Sequence, residues 1–266
     1  MNNNTIDINS LIYSKNKSSA NWKKHNFLHK KISDILGKKL LELGTSFKDI
    51  LILSSDQGEV LKNIIKLDFK SLIFLSPYIN LLKEIDIIKK KVLKVEGNFE
   101  NLPFAKNKFN LIVSNLCLHN INDKKSHLKQ VYNLLTDDGF LICNFFGENT
   151  LKELRNSLLI ADEEIFNGIF LRLSPNLRML EMSDLFGANG FKEIVSEKIT
   201  YKVFYNNVFN ILSDIKGTGE NNFLINRQKG MMTKNYVKKL HQIYKKNFGG
   251  SEGLELSCDI VSIIGW

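Results

Sequence analysis

The chain has 266 residues, 43% hydrophobic and 24% charged, an ordinary globular balance with room for one large α/β core or two small ones. Its formal net charge is +9, but the excess is nearly all lysine, scattered in pairs and triplets such as Lys23-Lys24, Lys38-Lys39, Lys89-Lys90-Lys91 and Lys245-Lys246. With no arginine cluster and no aromatic-interleaved basic strand, these charges read as solvated helix faces, and a nucleic-acid partner is not expected.

Residues 1–19 are polar and Asn-rich, without the apolar centre of a signal peptide. From Asn21 to Leu43 apolar residues fall at helical spacing (Phe27, Ile32, Ile35, Leu36, Leu40, Leu43), and Gly44 follows as a helix C-cap. Residues 49–53 (DILIL) suit a strand buried on both faces of a parallel sheet. Residues 54–57 and Gly58 then turn the chain into a helix ending near Lys66. A second strand over 71–75 leads through Ser76-Pro77 into another helix, Pro being well placed in a first turn. A third strand over 91–95 precedes a loop over 96–108, and a fourth is expected over 109–118. Asp123 opens a helix to about Leu135, Asp137-Asp138-Gly139 reads as a turn, and 140–146 as a fifth strand. Beyond it, 148–166 and 235–248 look helical, while 194–204 and 254–264 look like strands.

Short apolar strands alternating with helices through residue 146 argue for βαβ units with right-handed crossovers and helices on both faces. Two late strands then close the edge of the sheet. Only 3 prolines occur and no Pro/Gly/Ser-rich linker interrupts the chain, so a single domain over 1–266 is expected. Within it, 1–47 would form a helical cap, 48–146 a cofactor-binding half and 147–266 a substrate-side half. Cys117, Cys143 and Cys258 lie far apart in apolar runs, as reduced, buried thiols do, and not in a disulfide or zinc pattern. No apolar run approaches the roughly 20 residues of a membrane span. These features point to a cytoplasmic protein without a membrane-spanning helix.

Three stretches carry a resemblance: 98–104 (NFENLPF), 109–119 (FNLIVSNLCLH) and 134–140 (LLTDDGF). They resemble the central block of the type 11, class I S-adenosylmethionine-dependent methyltransferases. More narrowly, 26–28 (NFL), 119–123 (HNIND), 147–155 (GENTLKELR), Ser174-Pro175 and 264–266 (IGW) are similar to the methyltransferase-like complex I assembly factors and their alphaproteobacterial relatives. The resemblance implies a Rossmann-like, seven-stranded, mostly parallel sheet whose last strand is antiparallel. It implies S-adenosylmethionine as cofactor, bound beyond the carboxyl ends of strands one to four. It implies as partner a protein or carrier-bound substrate, or a respiratory-complex subunit. Members of the family are also implicated in hydroxylating a protein arginine.

The resemblance also marks where this chain departs from the family. An acidic residue and three glycines are expected in and after the first strand, and here the register offers Ile52, Ser54, Asp56 and Gly58, of which only Gly58 keeps its type. Phe74 stands where a carboxylate would grip the ribose hydroxyls, and Asn98, beside Phe99, where an acid would take the adenine amino group. Asn115, in the fourth strand, completes the set of cofactor-side positions. Asp56 and Asp68 are the acids that could substitute. Losing two carboxylates would weaken cofactor binding by about two to four powers of ten. His119 and Asn122 follow the fourth strand, where substrate meets cofactor in such enzymes, and are the candidate catalytic residues, with His119 able to act as a base near neutral pH. The bland alternative for His119 is a hydrogen-bonded loop histidine, and for Asp123 a helix cap. Arg155, Arg172 and Arg178 could hold an acidic or peptide substrate or merely solvate a helix, while Trp22, Phe27 and Trp266 could clamp the pocket or simply pack. Two readings stand side by side: an enzyme, or a pseudoenzyme that uses the fold as an assembly scaffold. An RNA methyltransferase would need a motif such as Asn-Pro-Pro-aromatic, which is not present.

Overall fold

The computed structural model describes residues 5–43, 46–86, 92–228, 230 and 232–266. Helices α1 (Ile8–Ser18), α2 (Trp22–His25) and α3 (Phe27–Glu42) precede the sheet. Strand and helix then alternate as β1 (Phe47–Ser54), α4 (Glu59–Ile64), β2 (Phe69–Ser76), α5 (Ile79–Lys83), β3 (Val92–Glu96), β4 (Phe109–Asn115), α6 (Lys124–Leu134) and β5 (Leu135–Phe146). The last part holds α7 (Lys152–Phe166), α8 (Met179–Ala188), β6 (Ile194–Tyr205), α9 (Val208–Gly217), α10 (Lys234–Phe248), the two-residue β7 (Gly249–Gly250) and β8 (Gly253–Gly265).

The strands lie in the order β3-β2-β1-β4-β5-β8-β6, with β7 paired to β8. β1 to β5 run parallel, and β8 enters antiparallel between β5 and β6. This is the expected Rossmann-like arrangement. The order reverses between β1 and β4, so the carboxyl tips of those strands open onto the crevice where ligands of such sheets sit. Successive side chains of the inner strands point to opposite faces. Leu51, Leu53, Leu75, Ile112 and Phe145 join Leu11, Trp22, Tyr78 and Phe99 in one buried layer. Ile50, Ile52, Leu72, Phe74 and Val113 join Leu36, Leu40, Val60 and Ile64 in the other.

Four details differ from the sequence reading. β4 stops at Asn115 and not at Leu118, because Leu116 takes a positive φ of 53°. That conformation is held by its N–H donating to the Asn144 carbonyl at 2.8 Å and by Ser55 Oγ donating to its carbonyl at 2.9 Å. Residues 137–139 do not separate a helix from a strand. They form an irregularity inside β5, between the pairs Phe109–Leu135 and Leu111–Phe140. Glycine fits at 139 because a Cβ would lie 2.9 Å from the Phe109 carbonyl oxygen. The long N-terminal helix is broken at Asn26, between α2 and α3. Finally, α1, α8 and α9 were not foreseen, α1 because it buries a lysine and a serine (Lys15, Ser18) beside a single leucine. Gly44 and Lys91, read as a helix cap and a strand start, lie outside the described residues. Among those described, no helix is long and apolar enough to cross a membrane.

The N-terminal helices are seated on the sheet by Trp22, which is fully buried and donates from Nε1 to Glu59 Oε1 at 2.9 Å. Trp22→Ala is expected to cost about 3–5 kcal/mol in urea denaturation and to make the segment before β1 the first site of limited proteolysis.

Candidate functional site

The turn leaving β1 runs from Ser54 to Gly58, and its polar groups satisfy one another. Asp56, 1% exposed, accepts from Ser54 Oγ at 2.8 Å, from the Gly58 N–H at 2.7 Å and from Asn115 Nδ2 at 3.2 Å. Burial, and then the nearby Glu59 charge, push its carboxyl up to about 7 against these three bonds. Gly58 has φ +86°, a left-handed conformation that lets the chain enter α4 at once. Glu59, equally buried, accepts from Trp22 Nε1, from Asn26 Nδ2 at 2.6 Å and from the Gln57 N–H at 2.9 Å. Gln57 Nε2 in turn donates to the Ser19 carbonyl at 2.9 Å. The segment from Ser19 to Asn26 is thus bonded directly onto the turn.

Phe74 is fully buried in the apolar layer with Ile52, Leu82 and Ile85. Asn98 is exposed, and its side-chain oxygen accepts from the Glu100 N–H at 2.9 Å. Phe99 meets Tyr78 edge to face at 6.2 Å. These last three residues line a cleft of about 280 Å³ with Leu11, Pro77 and Ile121. Asn115 lies beneath the turn, bonded to Asp56 and, through Oδ1, to Asn144 Nδ2 at 3.4 Å. Asp68 is exposed just before β2, at the end of the sheet away from the strand tips, and so cannot substitute for a ligand-gripping acid. Taken together, these residues do not fit the ordinary contact set of S-adenosylmethionine. Phe74 offers no acceptor, and the Asp56 carboxyl is already saturated by its neighbours.

The structure separates His119 from Asn122. Asn122 Oδ1 accepts from the Thr5 and Ile6 N–H groups, both at 2.9 Å, so its side chain pins the N-terminal segment. Asp123 caps α6 by accepting from the Ser126 N–H at 2.9 Å. His119 faces a different set of groups. Its Nε2 lies 3.1 Å from Glu220 Oε2, and Glu220 Oε1 accepts from the fully buried Lys15 Nζ at 2.5 Å. His29 Nε2 is 3.9 Å from the same carboxylate. His119, His29 and Glu220 border a cavity of about 110 Å³ walled by Leu28, Phe146, Leu173 and Leu256. Nothing in the sequence marked Lys15, His29 or Glu220, which come together only through the fold.

The three arginines are occupied within the chain. Arg172 Nε forks onto both oxygens of Asp162 at 2.6 and 2.7 Å, Arg155 donates to the Ser174 carbonyl at 2.9 Å, and Arg178 pairs with Glu181 at 2.9 Å. Phe27 is 39% exposed and Trp266 48% exposed, so neither packs as Trp22 does. Cys117, Cys143 and Cys258 are free and buried, and burial pushes the Cys117 and Cys258 thiols up to about 12. They are therefore thiols and not nucleophilic thiolates near neutral pH. Among the described residues no group of three or more His, Cys, Asp or Glu is placed to hold a metal.

A mostly parallel sheet in this strand order, with the tips of β1 and β4 facing the ligand crevice, is the Rossmann-like fold seen in class I S-adenosylmethionine-dependent methyltransferases, and the chain has that fold. Residues 77–143 match the family model described as a methyltransferase domain. The chain is similar to the mitochondrial arginine-hydroxylase NDUFAF5 of Rattus norvegicus, 33% identical over 184 residues, which are 69% of this chain and 52% of the rat protein. The match thus spans about half the length of that relative. It is also similar to a putative methyltransferase of Rickettsia prowazekii, 33% identical over 52% of this chain and 64% of that protein. Among solved structures, a putative methyltransferase from Bacillus halodurans superposes with a TM-score of 0.57 at 12% identity, covering 86% of this chain and 97% of the other.

The raised carboxyl of Asp56 has a measurable consequence. A folded acid that holds its proton more tightly than the unfolded chain contributes stability that is complete below its ordinary value of 3.8 and lost as the pH rises toward about 7. Urea denaturation of Asp56→Asn beside the unchanged protein is expected to show the difference moving steadily in the variant's favour between about pH 4 and pH 7.

Proposed function

We propose that this protein is a methyltransferase-fold factor acting on a protein or carrier-bound substrate, with binding of S-adenosylmethionine weakened or lost. The observation that carries this reading is the self-satisfied turn after β1. Asp56 takes the hydrogen bonds of Ser54, Gly58 and Asn115, while Gln57 and Glu59 are bonded to Ser19, Trp22 and Asn26. Groups already paired in a buried site gain little by exchanging partners for a ligand. A protein side chain as substrate is supported by the likeness to NDUFAF5, whose name describes an arginine hydroxylase. It is supported too by the cavity beside His119, which is sized for a side chain and lined in part by the loop at Ser174 and Pro175.

A non-catalytic role as an assembly scaffold, for instance toward a respiratory-complex subunit, is the second reading. The observation favouring it is the exposed apolar run of Ile165, Phe166, Ile169 and Leu171, which leads into that same loop.

Calorimetric titration with S-adenosylmethionine tests the proposal. The expected result is no saturable heat at ligand concentrations up to about the millimolar range, consistent with a loss of two to four powers of ten. A dissociation constant in the micromolar range would overturn it.

A further inference from the structure

β6 forms one edge of the sheet over 12 residues, and among the described residues no strand pairs with its outer side. Its neighbours fix which of its backbone groups face outward. On β8 the Asp259 carbonyl accepts from the Gly147 N–H, and the Ser257 carbonyl from the Leu151 N–H, both at 2.9 Å. Odd-numbered residues of β8 therefore turn their backbone groups to the β5 side, and even-numbered ones bond to β6. The register sets those even residues opposite odd residues of β6, Cys258 against Tyr201 and Ile260 against Ile199. The reciprocal bonds between Glu193 and Trp266, just before the strand, follow the same parity. The N–H and C=O groups of Ile194, Ser196, Lys198, Thr200, Lys202 and Phe204 thus point away from the sheet. Apolar side chains flank them, with Val195 55% and Phe204 40% exposed. A row of outward donors and acceptors of this length is a template for another strand.

We propose that this edge pairs with β6 of a second copy of the chain, antiparallel about a two-fold axis through Ile199. The strand is complementary to itself in that register. Ile194 stands against Phe204, Val195 against Val203 and Ile199 against its own copy, while Glu197 faces Tyr201, Lys198 faces Thr200 and Ser196 faces Lys202. Apolar residues meet apolar residues, and no charge meets a like charge. A slip of two residues either way sets Lys198 against its own copy or against Lys202, which is unfavourable directly across a pair. A slip of one residue opposes outward-facing backbone groups to inward-facing ones and forms no ladder. The charged side chains bring no unpaired charge to the contact, because Glu197 pairs with Lys39 at 2.5 Å, Lys198 with Glu148 at 3.7 Å and Lys202 with Glu255 at 3.0 Å. There is also room for the helices. Ile32 of α3 packs with Cys258 and Ile260, so α3 rests on β8, one strand in from the edge. Two copies of α3 would stand three strand spacings apart, about 14 Å, more than the roughly 8–10 Å that packed helices need.

Sedimentation equilibrium at concentrations up to about 0.1 mM is the first test. The mass is expected to rise with concentration toward twice the 30.6 kDa of one chain. Lys202→Pro removes an outward N–H and leaves the ladder to β8 intact, so it should weaken the dimer at least about tenfold. Should the proline disturb folding, the double replacement Val195→Lys with Val203→Lys, which sets lysine against lysine twice, is expected to do the same. The register is read by oxidation. Ile199 and its copy form a pair without backbone bonds between them, with Cα atoms about 4.5 Å apart, inside the range a disulfide spans. Ile199→Cys should therefore cross-link two chains, and Val195→Cys should not, while the three native cysteines are buried. A monomer throughout the concentration range, a dimer that the folded variants leave unchanged, or failure of Ile199→Cys to cross-link would each overturn the proposal.

Discussion

Glu59 accepts hydrogen bonds from Trp22, from Asn26 and from the backbone of Gln57, and so joins three segments to a single buried charge. The turn after β1, the short helix α2 and the start of α3 meet there. The cavity depends on the same junction, because His25 and His29 project from the two helices that Glu59 holds in place. A carboxylate removed from water is expensive unless its lone pairs are filled, and here they are filled by donors from separate elements. The arrangement is therefore self-enforcing. Moving any one donor leaves a buried charge short of a partner.

The same device recurs through the C-terminal part. Glu153 accepts from both the backbone and the hydroxyl of Ser257, anchoring α7 to β8. Asp259 accepts from Thr200 and Asn149, tying β8 to β6 and to the chain after β5. Asp162 receives the fork of Arg172 and the hydroxyl of Tyr236, which joins α7 to α10. β8 runs antiparallel between β5 and β6, and α7, from the connection that joins those two strands, packs against it and is held there by Glu153.

Of the five parallel strands, β1, β2, β4 and β5 were legible because each holds a short apolar run buried on both faces, a pattern that needs no knowledge of the rest of the chain, while the edge strand β3 leaves Leu93 exposed. Their limits were not, since β4 ends on the left-handed backbone of Leu116, which tertiary hydrogen bonds impose. The departures at Ile52, Asp56 and Phe74 could be read by setting the register against the family pattern, and the structure shows apolar packing around Phe74 and a closed hydrogen-bond set around Asp56. His119 was visible as a titratable residue after a strand. Its partner was not, because Glu220 lies 101 residues further along and no local spacing connects the two. Asn122 shows the opposite failure. It neighbours His119 in sequence, yet its side chain turns away to hold Thr5 and Ile6.

The pairing of Lys15 with Glu220 spans 205 residues, and that separation bears on the order in which the molecule can assemble. Lys15, which precedes every strand of the sheet, cannot be paired in the interior until Glu220 has been synthesised. The helix α1, made before the sheet, is thus seated after it. Until then the cleft beside Pro77, Tyr78 and Phe99 lacks the wall that Leu11 supplies.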